Sequence, residues 1–409
     1  MKILIVHNRY RPTAPSGENA VVDQESAALS SGGHDVELLQ RHSEEIASWS
    51  VLRRATLPAR VLWSEQSRRA VSKALVDFAP DVVHLHNTFP LLTPSVLYAC
   101  RDASVPVVAT IHNYKLSCAN GAFFRDGRVC HDCLGGSAVP ALAHGCYRGS
   151  TPATVPVVVG SRLHSAAWRS LVTAYIFISA AQRDLLGPVG LPADRSFVKH
   201  NFVPPPPPHA EIPNKPQIAY VGRLDEAKGA PFLMRAWDGL RARRPSSPLR
   251  LIVAGGGEMS ATVARWATGH PSVTIAGHVS RLEVSRILAG SRAVVVPSQW
   301  EETFGMVAVE AMAAGTAPVA SAHGAFPELV SQGIDGALFP PSDIDSLVDI
   351  LADIDDHPQR WEEYGDQARH TYQSRFTPDA GIARLLEIYR FAIAHPIEQS
   401  RRSPSEVST

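Results

Sequence analysis

The chain has 409 residues, of which 45% are hydrophobic and 19% charged, so it is long enough to bury two cores of ordinary size. Lys plus Arg and Asp plus Glu both number 39, which removes the overall positive field expected of a nucleic-acid-binding protein. No apolar run approaches membrane-spanning length, and Lys2–His7 has the pattern of a strand rather than a signal peptide, so we expect a cytoplasmic protein.

The first predicted unit is a strand, a loop and a helix. Ile3–Val6 is a buried strand, the loop runs from Asn8 to Gly17, and the helix extends from Glu18 to about Ser31. Gly17 can bring the backbone close to a ligand, but a loop that needs glycine only for its turn explains it equally well.

The segment from Val51 to Lys73 is locally basic, although the whole protein is neutral. A single acid, Glu65, accompanies six basic residues, namely Arg53, Arg54, Arg60, Arg68, Arg69 and Lys73. The pattern favours a solvated helix face. The alternative hypothesis is contact with an anionic membrane surface or a phosphate-bearing acceptor.

Two further strands each end in a histidine and an asparagine. Asp81–His86 delivers His86 and Asn87, and the strand from Val105 to Ile111 delivers His112 and Asn113. The carboxyl ends of neighbouring parallel strands open into one crevice, so these side chains are candidates for substrate contact.

Four of the five cysteines fall in a weakly periodic segment, residues 114–150, which is long for a loop without its own structure. They are Cys118, Cys130, Cys133 and Cys146. A structural zinc site would hold the segment together, although the outer spacings are looser than in common paired motifs. Reduced thiols or disulfides remain equally good explanations.

Residues 174–178 and 197–202 have the pattern of two further strands. The run of five prolines that follows, Pro204–Pro208, predicts an extended hinge between two domains. Beyond it, a strand beginning at Ile218 leads into a loop that contains Arg223 and Lys228. The glycine-rich turn at 255–257 is only a weak nucleotide signal, and a packing turn explains it better. Helices are predicted over 343–355, 359–375 and 380–394.

The most informative stretch is Val294–Val330. It reads as a buried strand, a loop over 298–305, a helix from Met306 to Ala314 and a second strand. Glu302 lies in the loop and Glu310 in the helix, beside amides that have no partner within the helix. Burying two acids there is favourable when a ligand supplies hydroxyls and negative charge, as a sugar diphosphate does.

Glu302-Thr-Phe-Gly-Met-Val-Ala-Val-Glu310 resembles the E-x7-E signature of retaining glycosyltransferases of family four. Gly222-Arg-Leu-Asp-Glu-Ala-Lys-Gly229 is similar to the same family's diphosphate-binding element. The resemblance covers nearly the whole chain, and segment 114–150 resembles a cysteine-bearing insertion in one branch of the family.

The resemblance implies roles for individual residues. His112 and Glu302 are expected to contact the donor sugar, and Glu310 the ribose. The remaining donor-binding candidates are Gly17, Arg223, Lys228, His278, Val279, Phe304, Gly305, Met306 and Val307. The acceptor-side candidates are His86, Asn87 and Asn113.

The expected fold class is α/β of the GT-B type, with two doubly wound Rossmann-like domains facing a cleft. The predicted parts are an N-terminal domain (1–203), a linker (204–216), a nucleotide-sugar-binding domain (217–380), a helix crossing back (381–396) and a disordered tail (397–409).

The expected activity is transfer of a sugar from a UDP- or GDP-sugar to an acceptor hydroxyl, with retention and without metal at the diphosphate. The only cofactor considered is the structural zinc. Alternatives are a nucleotide-sugar 2-epimerase, a phosphorylase, or a non-catalytic sugar-nucleotide-binding subunit.

Overall fold

Two parallel β-sheets of six strands each form the framework of the chain. The computed structural model describes residues 1–10, 17–207 and 215–397. Most of the predicted linker's second half and nearly all of the predicted tail therefore lie outside the described residues.

The strands are β1 (Lys2–Arg9), β2 (Asp35–His42), β3 (Val82–Leu85), β4 (Val107–Ile111), β5 (Phe124–Arg125), β6 (Arg128–Val129), β7 (Ala174–Phe177), β8 (Ser196–Val198), β9 (Lys215–Val221), β10 (Arg250–Ala254), β11 (Val273–Gly277), β12 (Ser291–Val296), β13 (Ala317–Ser321) and β14 (Ala337–Phe339). The α-helices are α1 (Gly17–Ser31), α2 (Val51–Ala55), α3 (Leu57–Leu62), α4 (Glu65–Phe78), α5 (Ser95–Asp102), α6 (Val139–Ala143), α7 (Thr151–Leu163), α8 (Ser165–Leu171), α9 (Ala180–Leu185), α10 (Ala230–Arg243), α11 (Ser260–Ala267), α12 (Arg281–Ala289), α13 (Met306–Ala314), α14 (Phe326–Leu329), α15 (Ile344–Asp356), α16 (Pro358–Arg375) and α17 (Pro378–Ala394). Short 3₁₀ turns cover Ser43–Ser48, Gly187–Val189 and Ala193–Arg195.

The N-terminal sheet has the strand order β2-β1-β3-β4-β7-β8, and every pair in it is parallel. Residues Ile3–Val6 of β1 are fully buried, as expected when helices cover both faces of a parallel sheet. The chain winds outward from β1 in one direction through β2 and in the other through β3. Ligands bind open sheets of this kind at the carboxyl ends of the strands where the winding reverses, here β1 and β3.

The C-terminal sheet repeats this plan with the order β11-β10-β9-β12-β13-β14, again all parallel. Its winding reverses between β9 and β12, which are hydrogen-bonded neighbours. The loops that follow these two strands therefore begin side by side at one edge of the sheet.

The last helix, α17, packs on the N-terminal sheet rather than on the sheet that precedes it in the chain. Leu385, Ile388 and Tyr389 lie in one buried cluster with strand residues of β1, β4 and β7. The Tyr389 hydroxyl is 2.7 Å from His84 Nδ1 of β3. Helix α17 thus helps to hold the two halves together.

The two halves also meet at the loop over residues 298–305. Ser179 Oγ donates to the Thr303 carbonyl at 2.8 Å, and Glu328 Oε2 accepts from the Ala180 amide at 2.8 Å. The first bond places the start of α9 against the loop that contains Glu302, and the second joins it to α14.

One predicted strand, residues 197–202, is shorter than expected, because β8 ends at Val198. Phe202 is 3% exposed and packs against Gly381 of α17, so its apolar character serves helix packing rather than sheet pairing. Among the described residues, no helix combines the length and the apolar character needed to cross a bilayer.

Candidate active site

The loops after β9 and β12 are pressed together at the sheet edge. Gly229 has φ 75°, and a side-chain carbon added to it would lie 1.9 Å from the Pro297 carbonyl oxygen. The Gln299 amide donates to the Ala227 carbonyl at 2.8 Å. Only glycine permits both this backbone conformation and this approach, which brings Lys228 to the loop of Glu302.

Lys228 and Glu302 form an ion pair at this edge. Lys228 Nζ lies 2.6 Å from Glu302 Oε2, and the same oxygen accepts from Ser298 Oγ at 3.1 Å and Trp300 Nε1 at 3.0 Å. All three bonds end on Oε2, and none of them reaches Oε1. Burial raises the pKa of Glu302, but Lys228 and these hydrogen bonds outweigh it and hold the pKa below its usual value.

The backbone amides predicted to bind a donor, those of residues 304–307, follow Glu302 in the chain. Gly305 has φ 96°, and an added side-chain carbon would be 2.5 Å from Phe326 Cε1. The Phe304 side chain is 2% exposed and belongs to the core, so only its backbone is available to a ligand. Met306 and Val307 begin α13, whose first amides have no partner within the helix and favour an anion.

Glu310 and Arg223 lie at this edge but do not join the Lys228–Glu302 pair. Glu310 is half-buried in the second turn of α13, and its charged neighbour is Arg281. Arg223 is exposed, and its guanidinium is 3.2 Å from Asp225 Oδ2. The structure therefore brings two of the four predicted charged groups into contact and leaves the other two beside them.

Burial raises the pKa of Glu310 to about 7, from an ordinary value of 4.5, against the opposing effect of Arg281. Between these two values the unfolded state is ionised while the folded state keeps its proton, so folding loses stability as pH rises. Replacing Glu310 with Gln removes this penalty. We expect Glu310→Gln to melt a few degrees above wild type at pH 8 and at the same temperature near pH 4, measured by thermal unfolding across pH.

If Glu310 binds ribose hydroxyls as a carboxylate, the same variant loses nucleotide affinity while it gains stability. A variant that neither gains stability at pH 8 nor binds nucleotide more weakly would contradict this assignment of Glu310.

His278 and Val279 lie further along the same edge, after the outer strand β11. His278 is exposed, and its Nε2 lies 2.5 Å from where a side-chain carbon on Gly256 would be. His278 therefore lies beside the glycine-rich turn at 255–257, and the predicted contact of His278 and Val279 with a nucleotide stays a prediction.

Across the interdomain cleft, Gly17 at the start of α1 faces the start of α13. A side-chain carbon on Gly17 would lie 3.9 Å from Met306 Cγ, which is ordinary contact distance. The Asn8 amide donates to the Asn87 carbonyl at 2.7 Å, which joins the ends of β1 and β3. The predicted sugar-facing residues thus lie at the reversal points of both sheets.

The predicted acceptor-side residues line one cleft with about 870 Å³ of open space. They are His86, Asn87 and Asn113, and His112, which was predicted to contact the donor sugar, lines the same cleft. His86 Nδ1 lies 2.9 Å from His112 Nε2, and the two rings stack with an angle of 20° between their planes. The imidazole of His112 is therefore held by His86.

Several residues of this cleft were not singled out in the sequence. Glu18 bonds to Tyr10 and Asn113, and burial raises the pKa of Glu18 to about 7 despite nearby Lys115. Lys115 Nζ lies 4.5 Å from the Phe89 ring centre, and burial lowers the pKa of its ammonium. The sequence indicated Glu18 only as the residue next to Gly17, and Lys115 belongs to no motif or periodic pattern that would have marked it as a cleft residue.

On the donor side, Ser298 and Trp300 were also missed as partners of Glu302. Both stand within four residues of it, but a loop has no fixed side-chain period from which their direction could be inferred.

The cysteine-bearing segment lies beside the loop of Glu302. His131 Nε2 is 3.5 Å from Glu301 Oε1, one residue before Glu302. The four predicted ligands line a single small hollow together with Arg125. All five cysteines are unpaired thiols, and burial, followed by the nearby thiols, raises the pKa of Cys133.

Among the described residues, no three of these sulfurs lie within 4.8 Å of one another. Within the described part of the chain, the trio of potential metal ligands with donor atoms all within 4.8 Å of one another is Glu25, His84 and His86.

Two protein-family models match the chain. Residues 16–201 match the model described as Glycosyl transferase 4-like domain, and residues 206–389 match Glycosyl transferases group 1. The chain belongs to the glycosyltransferases. In this glycosyltransferase the Lys228–Glu302 pair falls in the group 1 part, and the cleft of His86 and His112 falls in the 4-like part.

The glycosyltransferase is 26% identical to a glycogen synthase of Mycobacterium tuberculosis, over 95% of this chain and 94% of that protein. It is 32% identical to a D-inositol 3-phosphate glycosyltransferase of Mycolicibacterium smegmatis, over 46% of this chain and 44% of that protein.

Solved structures agree with the predicted GT-B fold. Sucrose-phosphate synthase of Thermosynechococcus elongatus superposes with a TM-score of 0.70 at 18% identity, covering 96% of this chain and 99% of that one. Alr3699/HepE of Anabaena, solved with UDP and glucose, gives a TM-score of 0.67 at 17% identity, covering 95% and 98%.

Proposed function

We propose that the protein transfers a sugar from a UDP- or GDP-sugar to an acceptor hydroxyl with retention at the anomeric carbon. The observation that carries this proposal is the Lys228–Glu302 pair at the reversal point of the C-terminal sheet, opposite the cleft lined by His112. The carboxylate of Glu302 can bind sugar hydroxyls, and the ammonium of Lys228, in direct contact with it, can bind phosphate oxygens.

The chemistry follows from what the donor brings to this edge. The diphosphate carries negative charge that develops further as the sugar leaves, and Lys228 and the free amides of α13 stabilise it. Charge-assisted hydrogen bonds contribute about 1.5 to 3 kcal/mol each, more than the roughly 0.3 to 1 kcal/mol of a helix end. In this proposal no metal is needed at the diphosphate, and Arg223 joins Lys228 by turning away from Asp225.

Retention of the anomeric configuration is consistent with a site in which Glu302 binds the sugar and does not act as the nucleophile. Its Oε2 accepts three hydrogen bonds, so we assign it to hold the sugar rather than to attack the anomeric carbon. The acceptor hydroxyl would then attack from the face that the phosphate leaves, with the leaving phosphate taking its proton.

The test begins with thermal unfolding against common nucleotide sugars. UDP-glucose comes first because the similarly folded Alr3699/HepE was solved with it. A donor at 100 times its Kd stabilises the folded state by about 2.7 kcal/mol, a shift of several degrees. Stabilisation by no nucleotide sugar, or by all nucleotides without regard to the sugar, would contradict the proposal.

Product analysis with the stabilising donor then separates the alternatives. A transferase needs an acceptor hydroxyl to form a glycoside, a 2-epimerase forms its product without one, and a phosphorylase needs phosphate. A binding subunit would retain the donor unchanged with every acceptor. Retention is read from the anomeric configuration of the product by NMR.

We propose that Cys118, Cys130, Cys133 and Cys146 hold a structural zinc ion, because they line one hollow in a segment with little regular structure. Binding would draw the four thiolates together and fix His131 against Glu301. We expect about one zinc per chain by elemental analysis and a lower melting temperature after chelation. Cys100, buried in the N-terminal core, provides the control, since Cys100→Ala should leave the zinc content unchanged.

Far less than one zinc per chain in protein purified without chelator would defeat the zinc hypothesis. Equal zinc loss in Cys133→Ser and Cys100→Ala would do so as well.

We also propose that the basic segment meets an anionic membrane surface through α2 and α3 at the inner face of the cell membrane. Val51 and Leu52 are more than 80% exposed beside Arg53 and Arg54. In α4, by contrast, the basic residues pair with acids: Arg68 with Asp102, Arg69 with Glu65 and Lys73 with Asp77. The available positive charge therefore lies on α2 and α3.

Replacing Arg53 and Arg54 with Ala should weaken cosedimentation with phosphatidylserine vesicles by roughly 30-fold, at about 1 kcal/mol for each charge. The matched control is Arg68→Ala with Arg69→Ala, which removes the same charge from α4 and should have a much smaller effect. Equal effects of the two pairs, or no vesicle binding by wild type, would contradict the membrane hypothesis.

A further inference from the structure

A buried ion pair lies behind the two histidines of the cleft. Glu25 of α1 and Lys199, just after β8, are 1% and 2% exposed, and Glu25 Oε1 accepts from Lys199 Nζ. The other carboxylate oxygen, Oε2, is 3.7 Å from His86 Nε2. Within the described residues, neither Glu25 Oε2 nor His86 Nε2 has a hydrogen-bond partner.

This cluster is poorly suited to a metal ion, although Glu25, His84 and His86 have the required spacing. The ammonium of Lys199 already neutralises Glu25. Both ring nitrogens of His84 are engaged, Nε2 with Thr110 Oγ1 and Nδ1 with Tyr389 OH, each at 2.7 Å. A cation would have to displace a buried ammonium and break two hydrogen bonds.

The positions of the ring N–H hydrogens in this cluster follow from which neighbouring groups can donate a hydrogen bond and which can only accept one. Burial lowers the pKa of His86 well below its usual value, so the ring is neutral and has one N–H and one lone pair. A carboxylate only accepts. The favourable arrangement therefore has His86 Nε2–H directed at Glu25 and the His86 Nδ1 lone pair directed at His112.

His112 must then donate its Nε2–H to His86, which leaves its Nδ1 unprotonated. The opposite arrangement would set the lone pair of His86 Nε2 against a carboxylate in a buried setting, where such repulsion is costly. The choice between the two arrangements thus depends on Glu25, which does not touch His112.

We propose that Glu25 is a positioning residue that fixes the tautomer of His112 through His86, so that His112 offers a hydrogen-bond acceptor to a sugar hydroxyl in the cleft. The choice of a sugar as the ligand rests on the proposed function. The tautomer itself does not, because it can be measured without any transfer reaction.

The test is ¹⁵N NMR of the full-length protein with labelled histidine, in which His112 is assigned by comparison with His112→Gln. In wild type, Nδ1 of His112 should show the shift of a bare nitrogen and Nε2 that of an N–H. Glu25→Gln places an amide N–H opposite His86 Nε2, which reverses the hydrogen bonds. The two shifts of His112 should then exchange.

Two further variants keep the test decisive. Glu25→Leu with Lys199→Met removes the carboxylate and the ammonium together, so no charge is left buried alone, and His112 should then lose its preference for a bare Nδ1 even if the single variant folds poorly. Tyr389→Phe removes a hydrogen bond from His84 in the same cluster, and should leave the His112 tautomer as in wild type.

With a working donor, the Glu25 variants should lose about 10- to 100-fold in kcat/KM, as expected for a residue that orients a substrate-binding group, and Tyr389→Phe should lose little. A wild-type His112 protonated on Nδ1, or an unchanged tautomer in both Glu25 variants, overturns the inference. A wild type that transfers no sugar would count against the proposed function, while the tautomer measurement would still decide the role of Glu25.

Discussion

Glu302→Gln is expected to lower kcat/KM for sugar transfer by about 10- to 150-fold with little change in melting temperature. A hydrogen bond from a hydroxyl to a carboxylate contributes about 1.5 to 3 kcal/mol, and about 1.36 kcal/mol corresponds to a factor of ten in rate. Glutamine has nearly the same shape and keeps an oxygen for Lys228, Ser298 and Trp300. The loss should therefore appear in donor use and not in folding.

The matched control is Glu301→Gln, which makes the same chemical change one residue earlier. Glu301 faces His131 rather than the Lys228 pair, so transfer should stay close to wild type. Steady-state kinetics with the donor found by thermal unfolding measures both variants. Glu302→Gln with unchanged kcat/KM would remove Glu302 from the site.

The fold could be predicted largely because its signals are local. Runs such as Ile3–Val6 and Val294–Val296 are continuous and β-branched, which is typical of strands buried on both faces. The helix predicted from Met306 to Ala314 has these bounds in the structure, and Gly315 with φ 75° ends it, as glycine commonly does. The shorter β8 was missed because Phe202 has the same apolar character whether it pairs in a sheet or packs on a helix.

The site was predictable only in part, because motif spacing gives neighbours along the chain and not across it. The contact of Lys228 with Glu302 follows from two loops that Gly229 presses together, and the sequence indicates this only through strand order. Partners such as Trp300, Lys115 and Glu25 depend on loop and interior geometry. Nothing in their local pattern distinguishes them from ordinary loop or helix residues.

Lys228→Met is expected to have the largest effect on stability, because it leaves the carboxylate of Glu302 buried without its cation. Glu302 is 5% exposed, and breaking a buried pair from one side costs about 3 to 5 kcal/mol. The side chain of Lys228 is 25% exposed, so we expect a loss near the lower end. Transfer should fall as well, because the variant lacks the cation that we propose to bind the diphosphate.

The double variant Lys228→Met with Glu302→Gln should recover most of the stability and none of the transfer. Its free energy of unfolding, measured with both single variants, gives the coupling between the two residues. Lys228 holds the pKa of Glu302 below 4.5, so the pair stabilises the protein above that pH and stops doing so as pH falls through the folded pKa. The stability gap between wild type and Lys228→Met should therefore be largest near neutral pH and close in acid. A gap that stays constant from neutral pH through the acid range in which wild type remains folded, or a double variant no more stable than Lys228→Met, would show that Lys228 stabilises the protein by packing alone.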